Sequence, residues 1–68
     1  MKINPDRFAL ARAKACMSVR DVMASAKVSP ANLARIGRGR GETQPQTVGR
    51  LAKALGVTVE YLIGEEVQ

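Results

Sequence analysis

Apolar residues recur along this chain at helical spacing, broken at intervals by proline, serine and glycine. Over residues 6–16, Phe8, Ala11 and Ala15 fall at i, i+3 and i+7, with Arg7, Arg12 and Lys14 elsewhere around the cylinder. That is the spacing of one buried helical stripe. Asn4 or Pro5 starts the segment. Acidic Asp6 suits its first turn, where unpaired amides carry partial positive charge. A second helix is predicted from Val19 to about Ala26, because Ser18 and Asp21 have the spacing of a capping box. Its inward residues are Val22, Met23 and Ala26.

Ser29 then acts as a cap and Pro30 as the first residue of a third helix, where the missing N–H is no loss. This helix runs from about Pro30 to Gly37 and turns Leu33 and Ile36 inward. Gly37, Gly39 and Gly41 stop it, one of them as the left-handed residue just beyond its end. Pro45 starts a fourth helix with Val48, Leu51, Ala52 and Leu55 at i, i+3, i+4 and i+7, and Gly56 is its stop. Thr58 caps a short fifth helix that turns Val59, Leu62 and Ile63 inward and ends at Gly64; residues 65–68 form a tail. The pattern contains no strand, repeat or linker, so the expected fold is all-α and a single domain over residues 1–68.

Composition narrows the chemistry. A chain of 68 residues buries only about 60% of its unfolded surface, so the core is thin. Phe8 and Tyr61 are the only aromatics, and aliphatics and alanine must fill the core. Without histidine, a zinc site and a histidine-based triad are excluded in practice. No catalytic residue, metal ligand or cofactor is expected, and an enzyme is the weakest reading. The single cysteine, Cys16, allows no internal disulfide and reads as a small packing residue, with Met17 and Met23 as core filler. No apolar run approaches the ~18 residues of a membrane span. No signal peptide is read, since Met1 leads into Asn4, Pro5, Asp6 and Arg7. The expected location is the cytoplasm.

Charge is divided along the chain. Residues 1–53 hold all 11 Lys and Arg with Asp6, Asp21 and Glu42, a balance of +8; residues 54–68 hold Glu60, Glu65 and Glu66 and no base, a balance of −3. A basic body suggests a polyanionic partner, against the blander reading of a merely basic surface. The densest basic stretch is "RIGRGRGETQP", Arg35 to Pro45. RNA-reading tracts interleave aromatics that stack on bases, and none lies between Phe8 and Tyr61. A phosphate-cradling loop would need a lysine after its last glycine and a strand before it. The stretch therefore reads as the end of one helix and the start of the next.

The second and third helices are joined by only three residues, Lys27 to Ser29, which forces a sharp angle and defines a helix-turn-helix over about residues 18–38. From Arg7 to Ile63 the sequence resembles the helix-turn-helix family of phage lambda repressor and Cro. The resemblance rests on "SVRDVMASAKVSPANLARIGRG" for the bihelical unit and "PQTVGRLAKALGVTVEYLIG" for the last two helices. It implies a compact five-helix lambda-repressor-like domain that binds double-stranded DNA sequence-specifically and regulates transcription, as a repressor and often as a homodimer on a palindromic operator. The alternative on the same fold is an antitoxin or recombination accessory factor, a protein-interaction module. No small-molecule ligand domain is expected. Three positions depart from the family. Val19 stands where members often carry glutamine, and Lys27 where the turn usually has glycine. Gly37 stands where glutamate commonly pairs with an arginine of the first helix. Arg12 matches that arginine and must pair elsewhere, sit in solvent or reach a phosphate.

On this resemblance the third helix enters the major groove, and its outward residues Pro30, Ala31, Asn32, Ala34 and Arg35 meet base edges. Asn32 can bond adenine through two groups and Arg35 guanine or a phosphate, while Ala31 and Ala34 offer methyl contacts, such as to thymine. Arg38 and Arg40 are expected on phosphates rather than bases, against the alternative of complementing the helix dipole. The helix starts at Ser18–Val19 and Gln44–Gln46 should face flanking phosphates. Thr43, Gln44, Gln46 and Thr47 help there, unless Thr43 and Gln44 simply cap the fourth helix. A dimer surface near Val57, Tyr61, Ile63 and Val67 competes with a core role for the same residues.

Overall fold

A computed structural model of the protein describes residues 1–64. It contains α1 (Pro5–Lys14), α2 (Val19–Ala26), α3 (Pro30–Gly37), α4 (Pro45–Leu55) and α5 (Val59–Ile63), and no strand among the described residues. The local reasons are those legible in the chain. The Asn4 side chain accepts from Asp6 and Arg7 N–H at the start of α1. Ser18 and Asp21 form the reciprocal capping box of α2, Ser29 accepts from Asn32 N–H, and Thr58 accepts from Tyr61 N–H. Each such cap satisfies an amide that has no partner inside its helix.

The helices pack round a core of Phe8, Ala11, Val22, Ala26, Leu33, Ile36, Val48, Leu51, Ala52, Leu55 and Leu62, completed by Ile3 and Val28. α2 packs chiefly on α4, and α1 on α5 and α3. Leu51, Leu62, Val22 and Val48 are the largest side chains wholly removed from solvent. Burial of each stabilises by about 1.5–3 kcal/mol. Ile3 and Val28 lie outside every helical stripe, yet are only 2% and 6% exposed. Ile3 belongs to a segment strapped across the molecule. Thr43 N–H donates to Met1 O at 2.6 Å, the Met1 ammonium donates to Thr43 O at 2.9 Å, and Asn4 N–H donates to Leu62 O at 2.8 Å.

Some expectations are corrected and others are met. α1 ends at Lys14, not residue 16. Cys16 adopts φ 56, and its N–H and that of Met17 reach back to Ala13 O and Arg12 O, both at 3.1 Å. This is the closure glycine usually provides; it leaves the thiol exposed rather than packed. Met23 is half-buried at the edge of the core. Gly37 is the last residue of α3 and not left-handed; Gly39 is, at φ 68. Gly39 N–H donates to Ile36 O and Arg40 N–H to Arg35 O, each at 3.0 Å, the paired bonds of a Schellman motif. Lys27 holds the left-handed backbone expected of the tight turn, φ 55 and ψ 48. Val57, Val59, Tyr61 and Ile63 pack partly buried against the core. The expected tail and Val67 lie outside the described residues. Among the described residues no helix is long and apolar enough to cross a membrane.

Candidate nucleic-acid interface

α2 and α3 present a bihelical unit whose turn is anchored from below. Lys27 reverses the chain in the left-handed region, Val28 drops into the core, and Ser29 and Pro30 begin α3 at once. With Leu33 and Ile36 buried, α3 presents Pro30, Ala31, Ala34 and Arg35 exposed and Asn32 half-buried. Arg35 Nη2 donates to Asn32 Oδ1 at 3.0 Å. The two side chains best suited to base edges are thus bonded to each other on one face of α3.

Beside them opens a mainly polar cleft of about 330 Å³, lined by Asn32, Arg35, Glu42, Thr43, Gln44 and Thr47. The fold therefore brings together two residues proposed for bases and three proposed for phosphates. Arg38 and Arg40 are exposed on the loop that follows α3, and Gln46 is exposed in the first turn of α4. Thr47 Oγ1 accepts from Arg50 Nη2 at 3.5 Å, at the limit of a hydrogen bond.

The two helix starts differ. At α2, Ser18 N–H donates to Asp21 Oδ2 at 2.9 Å and Asp21 N–H to Ser18 Oγ at 3.1 Å. The Ser18 backbone N–H, then the Ser18 side chain, hold the Asp21 carboxyl below its ordinary pKa. The first turn of α2 thus already carries its own anion, and Val19 beside it is 46% exposed. At α4, Gln44 is the cap residue but its side chain caps nothing. The dipole and free amides of that end are left for another acceptor.

Glu42 is the residue of the cleft that sequence reasoning did not place. Its Oε2 accepts from the Met1 ammonium at 3.4 Å, in an exposed pair of the kind that adds little stability. The pairing still lowers the negative charge facing the cleft. Only its position two residues after Arg40 could have signalled it. Arg7, outside the cleft, lies over the Tyr61 ring at 4.8 Å.

A left-handed, core-anchored turn joining two short helices, with the second exposed beside a polar cleft, defines a helix-turn-helix. The chain belongs to that family: the model described as a helix-turn-helix domain matches residues 6–62, most of its length. No curated protein and no solved structure matches it significantly. The family binds double-stranded DNA, and the protein is a DNA-binding regulator at that level of description.

Proposed function

We propose that the protein is a sequence-specific transcriptional repressor of the lambda repressor and Cro kind, with α3 inserted in the major groove of duplex DNA. The observation that carries this is the shared cleft in which Asn32 and Arg35 of α3 meet Thr43, Gln44 and Thr47 at the start of α4. Groups with base-reading geometry and groups with phosphate-holding geometry then act on one stretch of duplex. Asn32 reads adenine, Arg35 reads guanine or holds a phosphate, and Pro30, Ala31 and Ala34 make apolar contacts along the groove wall. Arg38 and Arg40 neutralise phosphates beyond the end of α3. On the other flank Val19 abuts the sugar–phosphate backbone, with Ser18 contributing less because its groups serve the capping box. The uncapped start of α4, with Gln44, Gln46 and Thr47, takes a further phosphate.

Selection of binding sites from random duplex DNA tests the reading. The expected result is one enriched motif, palindromic when two copies bind as a dimer. Affinity for it should fall with salt at a log–log slope of about −0.9 per phosphate neutralised. Absence of any enriched duplex, or equal binding to single-stranded RNA, overturns it.

A further inference from the structure

A second recess, apolar and about 360 Å³ in volume, lies between α1, α2 and α3. Phe8, Val19, Met23 and Leu33 give it apolar walls; Arg12 and Gly37 also line it, and no carboxylate does. The volume is that of a small-molecule site, roughly 300–1,000 Å³.

Arg12 is poorly satisfied there. Among the described residues its Nε is buried without a partner, and its one hydrogen bond runs from Nη1 to Met17 O at 3.5 Å. Among the described residues it has no ion pair. A guanidinium carries five donors in a planar fork that matches a carboxylate, and a buried donor left unpaired is unfavourable. Opposite it, Gly37 leaves the space open: a Cβ built there meets nothing within 4 Å. The recess is thus apolar along its walls and cationic at one point, with room beside the charge.

We propose that this recess binds a small organic carboxylate, its carboxylate on the Arg12 guanidinium and its apolar body against Phe8, Met23 and Leu33. The unbranched Met23 adapts to the ligand's shape. Because α1 and α3 form facing walls, the occupant bridges them and steadies α3. The recess shares Val19, Pro30 and Ala34 with the proposed DNA face, and its test uses no DNA, so the outcome is separate from that of the DNA-binding reading.

The probe is benzoate, titrated into the full chain and followed by amide NMR, with uncharged benzamide as the isosteric control. Benzoate should shift the Arg12, Met23, Ala34 and Gly37 signals saturably, and at ten times its Kd should raise Tm by about 5–10 °C. Benzamide should bind at least about ten-fold more weakly, as expected where a charge-assisted pair is lost. Arg12→Met should abolish benzoate binding. Should that variant fail to fold, Gly37→Glu supplies an internal carboxylate and should raise Tm while excluding benzoate. Equal binding of benzoate and benzamide, shifts confined to other residues, no saturable shift, or unchanged binding in a folded Arg12→Met or Gly37→Glu variant each overturns the proposal.

Discussion

The two connections that flank α3 are built by opposite means. Before it, three residues make the turn: Lys27 bears a left-handed backbone without being glycine, and Val28 is sunk in the core. After it, seven residues, 38–44, form a surface loop in which Gly39 and Gly41 take the left-handed positions and Arg38 and Arg40 face solvent. The first connection sets the angle at which α3 leaves α2. The second presents charge, and its far end is held by backbone bonds between Thr43 and Met1. Geometry and electrostatics are thereby assigned to different ends of one helix.

That contrast can be broken most forcefully at Val28. Val28→Ser removes buried carbon and buries a hydroxyl, and should cost about 2–4 kcal/mol of unfolding free energy in a denaturant titration. Arg40→Ala, in the loop, should stay within about 0.5 kcal/mol. Equal losses would show that the loop is as structural as the turn. On DNA the ranking reverses in kind. Asn32→Ala should lose about 1–3 kcal/mol of discrimination at one base pair of the selected site. Arg38→Ala should instead weaken all duplexes alike and reduce the salt slope by about one. Competition binding at several salt concentrations separates the two.

A smaller test compares left-handed residues. Lys27→Gly relieves backbone crowding and should stabilise by about 0.5–1 kcal/mol. Gly39→Ala should destabilise by about 1–2 kcal/mol, since its Cβ would also lie 3.2 Å from Pro5 Cγ. Smallest is the capping box of α2. Its Asp21 carboxyl is held below its ordinary pKa by hydrogen bonds from Ser18. The cap thus contributes above the unfolded pKa and is lost as pH falls through the folded value. Asp21→Asn should therefore lower Tm slightly at neutral pH and converge with the parent protein in acid.

Helix existence was legible because prolines and small polar caps mark every start: Asn4–Pro5, Ser18, Ser29–Pro30, Pro45 and Thr58. Ends were legible where glycine closes the helix, as at Gly56 and Gly64, or where the next cap follows at once, as at Ala26 before Ser29–Pro30. The end of α1 was not, because Cys16 takes the role without the residue type that announces it. Periodicity finds stripes, so it found Leu51 and Leu55 but not Ile3 or Val28, whose burial is decided by a strap and a turn. In the candidate site, outward positions on α3 followed once Leu33 and Ile36 were inward. The Asn32–Arg35 bond and the presence of Glu42 in the cleft depend on side-chain directions and long-range contact, which no local pattern encodes. The same holds for the recess at Arg12, foreshadowed only by glycine at position 37.

The bond between Asn32 Oδ1 and Arg35 Nη2 has a consequence for how binding preference could change. On the proposed reading the two residues form one recognition unit, because moving either alters the acceptor or donor offered by the other. Their single and double alanine variants should be non-additive, as contacting residues generally are. An altered operator preference would then arise through paired substitutions. Replacing one member alone would pass through a protein that reads neither site well, a form of epistasis carried by a single hydrogen bond.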